Sequence, residues 1–164
     1  MKKAAPWFIL LFSLVAPMAA PPGEAEAVPA IAETYLASAV ATDGAPVGRV
    51  SAYDPSAKEF VAVAEVRDVE AGTAVRFVWY SSPPGSARAR LGERTVTSPI
   101  RESSVPFHSS LTLGRNWPEG RYVVDIFLLP ATRSSASLRF DVKKGAVPPA
   151  GKIPHGKKPG PGDR

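Results

Sequence analysis

The amino-acid sequence predicts an all-β domain, an antiparallel two-sheet sandwich of seven to eight strands. After residue 27 the dominant hydrophobic period is two, and no stretch keeps the helical period of 3.6 over ten residues. Short β-rich segments alternate with turn signals such as Asp43-Gly44 and Pro83-Pro84-Gly85. Such segments, spaced roughly 8 to 20 residues apart, are typical of a sandwich.

The first four predicted strands end at turn residues, and the last two of them alternate most clearly. Phe60 and Val66 share one face of the third segment. Val75, Phe77 and Trp79 share one face of the fourth segment, which therefore has a core side and an outer side. The four segments are Thr34–Thr42, Val47–Ala52, Glu59–Arg67 and Thr73–Ser81.

The other four predicted strands include one that is rich in arginine. Arg88, Arg90 and Arg94 alternate there along one face, which indicates a charged edge or, alternatively, a contact with an acidic partner. Residues 99–106 begin and end with proline and are predicted to form a loop. The four segments are Ala87–Thr97, Phe107–Leu113, Arg121–Leu129 and Ala136–Lys143.

Both ends of the chain differ from this domain in composition. Residues 1–27 have the order of a signal peptide: Lys2 and Lys3, an apolar run, then small residues. Cleavage is predicted after Ala27, with Ala25 as the alternative, and an uncleaved anchor is the other interpretation. The sequence thus predicts a signal peptide at 1–27, a sandwich at 28–143, and a disordered Pro/Gly/Lys tail at 144–164.

The basic charge belongs to the tail and not to the domain. Residues 28–142 contain 12 Lys and Arg against 12 Asp and Glu, whereas residues 143–164 have a net charge of +5. A nucleic-acid-binding domain would carry a basic stripe on its fold, so no nucleic-acid partner is expected. Lys152, Lys157 and Lys158 are instead candidates for salt-sensitive adhesion to an anionic envelope polymer or membrane surface.

The residue types needed for most cofactors and catalytic sites are scarce. The chain has no cysteine and only two histidines, which leaves no thiolate ligand and little for a metal site, so no cofactor is expected. His108 is predicted to face outward, because it is opposite in parity to Phe107. No G-x-S-x-G motif occurs, and carboxylates such as Asp125 and Asp141 fall on solvent-facing positions. The sequence therefore predicts a protein that is not an enzyme.

A few positions resemble the immunoglobulin-like frame. Trp79 lies within a strand, and Gly120-Arg121-Tyr122 opens a later strand with Val124 two residues beyond the tyrosine. Together with Trp117-Pro118-Glu119, these residues resemble small immunoglobulin-like modules of exported bacterial proteins, in families without assigned function. The resemblance covers about residues 34–143 and implies a fold without an active site. Where some members have an inter-sheet disulfide, this chain has Val124 and, on the other strand, Ala64 or Val66.

One sheet face is predicted to be an interaction patch. If Val75, Phe77 and Trp79 face the core, the alternate positions of the neighbouring strands face outward. The patch has an apolar centre with a charged rim, as interaction surfaces do. The alternative is that the segment around residues 31–36 or an extra strand covers the patch, or that a one-residue bulge reverses the parity. The centre is Val78, Tyr80, Val123 and Phe127, and the rim is Arg76, Asp125, Arg139 and Asp141.

The sequence therefore predicts an exported, non-catalytic binding or structural module, periplasmic or extracellular, without a transmembrane segment in the mature chain. Tyr80 and Phe127 would anchor contacts with a protein or an envelope polymer. The alternative is a small secreted enzyme or ligand-binding carrier with a site in the loops at one end of the sandwich. A third interpretation is inhibition of a protease through exposed loops of the sandwich, which would give the same sequence pattern as a binding module.

Overall fold

The computed structural model describes residues 27–146, which fold as an all-β structure of nine strands. The predicted signal peptide up to residue 26 and the tail lysines Lys152, Lys157 and Lys158 lie outside the described residues. Within residues 27–146 no helix is long and apolar enough to cross a membrane. The strands are β1 Ala30–Val40, β2 Pro46–Val50, β3 Ala52–Tyr53, β4 Glu59–Val69, β5 Ala74–Ser81, β6 Ala89–Thr97, β7 Glu102–Thr112, β8 Gly120–Leu128 and β9 Ala136–Val142.

The strands form two sheets, which confirms the predicted two-sheet sandwich. The four-stranded sheet has the order β2-β1-β4-β7, and the five-stranded sheet has the order β3-β9-β8-β5-β6. All pairs are antiparallel except β3 with β9, which run parallel. The inner faces of both sheets enclose one hydrophobic core.

The prediction of seven to eight strands was too low, because one predicted strand divides between the sheets. The segment Val47–Ala52 is interrupted at Ser51. Before this residue β2 pairs with β1 in one sheet, and after it β3 pairs with β9 in the other. The chain therefore changes sheets within a few residues, which no alternation pattern records.

The prediction of a loop at residues 99–106 was wrong, because β7 begins at Glu102. Its first residues pair with the end of β4, where Val105 lies opposite Val66. Pro106 is compatible with this strand because β7 is at the edge of its sheet, so the missing N–H breaks no second ladder. Pro106 therefore lies within β7 and does not mark the start of the strand.

The predicted common face of Arg88, Arg90 and Arg94 was also wrong. A register shift in β6 opposite Trp79 and Tyr80 places Arg90 across from Tyr80 but Arg94 across from the core-facing Phe77. One extra residue in a strand reverses the parity on one side of it. Arg90, opposite Tyr80, and Arg94, opposite Phe77, therefore lie on opposite sides of the edge strand β6.

An aromatic cluster fills one end of the core. Phe60 stacks on Trp117 with ring centroids 3.9 Å apart, and Tyr53 and Phe140 meet its other sides at 4.7 and 5.1 Å. Trp79 is 2% exposed, and its indole Nε1 donates to the buried Ser109 Oγ at 3.3 Å. Offset and edge contacts of this kind add to the hydrophobic free energy of burial.

The short strand β3 is anchored by the hydroxyl of Tyr53, which reaches into the opposite sheet. It accepts from the Val61 N–H at 2.9 Å and lies 2.6 Å from the Ala37 carbonyl oxygen, to which it donates. Ala37 and Val61 are the last paired residues of the β1–β4 ladder. The hydroxyl therefore closes the end of this ladder, and burial raises the Tyr53 pKa above its ordinary value.

Candidate contact face

The structure brings the predicted patch residues together on the solvent side of the five-stranded sheet, called here the outer face. In the β5–β8 register Arg76 lies opposite Phe127, and Tyr80 lies opposite Val123. Val123 in turn lies opposite Arg139 of β9. The neighbouring positions Val75, Phe77 and Trp79 are buried in the core, so the predicted parity of β5 is confirmed.

Within residues 27–146 neither the segment around residues 31–36 nor a bulge between β5 and β8 removes this face. The segment around residues 31–36 lies in β1, which pairs with β2 and β4 in the four-stranded sheet. The β5–β8 ladder runs from Val75 to Ser81 without a register shift. The one shift recorded in the pairing of β5 is with β6, at the edge of the sheet.

The apolar centre of the outer face is less accessible than its composition indicates. Val78 is 4% exposed and Val123 is 2% exposed, so these two valines are closed over by neighbouring side chains. Tyr80 and Phe127 are half-buried, and Arg139 is exposed. The accessible part of the predicted patch is therefore aromatic and charged, with Asp141 exposed beside Arg139.

Two arginines lie against the aromatic rings of the outer face. The Arg76 guanidinium carbon is 4.4 Å from the centroid of the Phe127 ring, and that of Arg88 is 6.0 Å from the Tyr80 centroid. A cation over a ring face is attracted by the ring quadrupole. Nε of Arg76 is buried without a hydrogen-bond partner in residues 27–146. Arg76 thus lies over the Phe127 ring with part of its guanidinium buried.

Asp125 organises the rim beside these rings. Its Oδ1 accepts from Ser137 Oγ at 2.7 Å, and its Oδ2 lies 3.2 Å from Arg88 Nη1. Arg88 precedes the edge strand β6, and Ser137 lies in β9 directly opposite Asp125. The sequence placed Asp125 on the rim but missed both partners, because cross-strand pairing depends on a register that alternation alone does not give.

A groove of about 520 Å³ adjoins the rim at one end of the outer face. Three arginines line it, Arg88, Arg121 and Arg139, together with the carboxylate of Asp141. Arg121 lies opposite Asp141 in the β8–β9 register. Arg121 was not predicted to belong to the patch, although it shares the parity of Val123 and therefore the same face of the strand.

The outer side of the four-stranded sheet offers a direct comparison. There Arg49 lies 3.9 Å over the Tyr35 ring and forms hydrogen bonds with Glu33, one of them 2.7 Å long. Arg49 is also 4.0 Å from Glu65. The hydrogen bonds from Arg49 lower the pKa of the Glu33 carboxyl below its ordinary value. This cation is thus balanced by two carboxylates of its own sheet.

The residues considered for chemistry are dispersed. His108 is half-exposed opposite Val63, on the outer side of the four-stranded sheet. Of the candidate carboxylates, Asp125 is paired with Arg88, and Asp141 lies opposite Arg121 in the β8–β9 register. Among residues 27–146 no group of three or more His, Asp or Glu side chains is placed to hold a metal ion.

Comparisons with known proteins assign no family. No family model matches the chain. A search of curated proteins also finds no significant match.

Proposed function

We propose that this protein is an exported, non-catalytic β-sandwich module that binds a protein or an envelope polymer through its outer face. Tyr80 and Phe127 are the contact anchors, with Val78 and Val123 packed beneath them as their support. Arg76 and Arg139 supply charge at the rim. Export is inferred from the pattern of residues 1–27, and it places the module in the periplasm or outside the cell.

The observation that carries this proposal is the difference between the two outer sheet faces in the arginine that lies over an aromatic ring. Arg49 on the four-stranded sheet is paired with Glu33 and Glu65. On the five-stranded sheet Arg76, which lies over Phe127, forms no ion pair within 4.0 Å among the described residues, and neither do Arg121 and Arg139. Half-exposed aromatic rings beside cations without a partner resemble the composition of protein interfaces, where aromatic residues and arginine are enriched.

The architecture supports an immunoglobulin-like type. The pairing of β3 parallel to β9, and the order β9-β8-β5-β6 beyond it, are compatible with the sheet of an immunoglobulin variable-type frame. The Tyr122 hydroxyl donates to the Pro118 carbonyl oxygen at 2.8 Å, as a tyrosine corner would. Ala64 and Val124, at the expected disulfide positions, are both fully buried in the core.

The basic tail is proposed to add weak electrostatic adhesion. Lys152, Lys157 and Lys158 would contribute attraction to anionic polymers or lipid head groups that salt screens. At the end of the described chain Lys144 Nζ lies 3.8 Å from Glu119 Oε1, beside the start of β8. The tail would therefore leave the domain at the same end as Gly120 and the arginine groove.

Photo-crosslinking tests the contact face. The photoreactive residue p-benzoylphenylalanine replaces Phe127 in the exported full chain, and a matched protein carries it in place of Tyr35. Both positions are half-buried rings with an arginine over them, but they lie on opposite sheets. A discrete adduct from position 127 and none from position 35 is expected. Equal adducts from both positions, or none from 127, would contradict the proposal.

A further inference from the structure

The arginine groove has a local excess of positive charge, because three arginines and one aspartate line it. Arg88 is engaged by Asp125, but Arg121 and Arg139 have no ion pair within 4.0 Å in residues 27–146. Only one carboxylate, Asp141, lines the groove with them. All three arginines and Asp141 are exposed residues. The groove therefore presents two guanidinium groups that form no ion pair within 4.0 Å among the described residues, and such groups are suited to bidentate contact with a carboxylate.

The groove crosses the strands. Its lining begins at Ser51, just before β3, continues through β9 and β8, and reaches Ser82, just after β5. Neighbouring strands are about 4.8 Å apart, so the groove extends across about 14 Å. This length and the volume of about 520 Å³ suit a short oligomer better than a single small ion.

The hydrogen-bonding groups of the groove come from side chains. β8 is paired on both sides, with β5 and β9, and β9 is paired with β8 and β3. The backbone of these strands is therefore used in the ladders, and an extended peptide lying across them would find few backbone partners. The side chains offer guanidinium donors, the hydroxyls of Ser51 and Ser82, and the acceptor Asp141.

We infer that the groove binds an acidic glycan, a chain of sugar units that carry carboxylates, with Arg121 and Arg139 holding a carboxylate. Asp141 repels a plain anion, but it accepts hydrogen bonds from the sugar hydroxyls beside that carboxylate. Arg88, which is paired with Asp125, also lines the groove. The inference rests on the proposed use of the outer face as a contact surface, and it names the chemistry of the polymer.

Titration calorimetry with the full chain and a tetramer of galacturonic acid tests the inference. Arg121→Gln and Arg139→Gln are each expected to weaken binding about tenfold, the effect of losing a charge-assisted hydrogen-bonded pair. Arg133→Gln is the matched control, because this exposed arginine lies outside the groove and its substitution changes the net charge equally. Equal weakening by Arg121→Gln and Arg133→Gln would overturn the inference, as would no binding by the wild type.

Asp141→Ala separates a glycan site from a simple anion site. Removing a negative charge strengthens the binding of any plain anion, because a repulsion is lost. A glycan loses a hydroxyl acceptor, so its binding is expected to weaken about fivefold or more. Tighter binding by Asp141→Ala, or tighter binding of polyphosphate or polyglutamate than of the galacturonate tetramer, would overturn the inference.

The two proposals fail separately. Phe127 does not line the groove, so crosslinking at position 127 does not depend on Arg121 or Arg139. An adduct at position 127 without tetramer binding would overturn the glycan inference and leave the contact face standing. Tetramer binding without an adduct would contradict the role of Phe127 while supporting the groove.

Discussion

At the scale of single residues, the Tyr53 hydroxyl has the most specific structural role in the core. It accepts from the Val61 N–H and donates to the Ala37 carbonyl, and both partners are buried. Tyr53→Phe leaves these two backbone groups without that partner in a dry environment. We expect the free energy of unfolding to fall by about 1–3 kcal/mol, measured by urea denaturation.

Tyr80→Phe is the control for this substitution. Tyr80 is half-exposed on the outer face, where water can hydrogen-bond with its hydroxyl. Its loss is expected to change the free energy of unfolding by less than about 0.5 kcal/mol. Equal effects of the two substitutions would show that the hydroxyl of Tyr53 does not stabilise the end of the β1–β4 ladder.

At the scale of elements, Asp54 joins the loop after β3 to the chain beyond β9. Its Oδ1 accepts from Ser56 Oγ at 2.6 Å and from the Ser56 N–H, and its Oδ2 accepts from the Gly145 N–H at 3.1 Å. These hydrogen bonds, the side-chain one foremost, lower the pKa of Asp54. The stabilisation is therefore complete above the ordinary aspartate pKa of about 3.9 and is lost as pH falls through the lower folded pKa.

Asp54→Asn tests this pH dependence. We expect the wild type to unfold at a higher temperature than the variant from pH 5 to pH 7. The difference should shrink as the pH falls below about 4, because protonation of Asp54 removes the same charge. Asp43→Asn is the control, since Asp43 makes a similar turn contact with the Ala45 N–H but does not reach Gly145. A difference that is constant down to pH 2.5 would contradict this role of Asp54.

Most strands could be predicted from alternation, because one side of each meets the core. β5 is an example, with Val75, Phe77 and Trp79 inward as predicted. The sheet change at Ser51 and the shift in β6 could not be predicted, because both depend on how a strand meets its neighbour. β7 begins before the predicted start because edge position removes the usual cost of Pro106.

The candidate site could also be predicted only in part from the sequence. Parity placed Tyr80, Phe127 and Arg139 on one face, and the register confirms that position. The contribution of Arg88 was missed because it comes from a loop residue that reaches Asp125 across the sheet. The burial of Val78 and Val123 was also missed, since it depends on how long neighbouring side chains lie over the sheet.

At the scale of the whole molecule, the net positive charge lies in the tail and not in the domain. Residues 28–142 are neutral in sum, so cationic character on the domain arises locally, at the arginine groove. Attraction through the tail lysines would be screened at high salt, where the Debye length is about 3 Å at 1 M. Contact through Tyr80 and Phe127 would persist there, because it depends on buried apolar area. Salt therefore separates contact through Tyr80 and Phe127 from the electrostatic attraction of the tail and of the arginine groove, both of which salt screens.

The most direct test is retention of the full chain on isolated cell envelopes at low and at 1 M salt. We predict that Phe127→Asp, checked for a cooperative thermal transition, loses the salt-resistant retention that the wild type shows. Tyr80→Ser serves as the second variant should Phe127→Asp not fold. A chain with Lys152, Lys157 and Lys158 changed to Gln should lose part of the salt-sensitive retention and keep all of the salt-resistant retention. Salt-resistant retention that is unchanged in a folded Phe127→Asp or Tyr80→Ser protein would contradict the outer face as the contact surface.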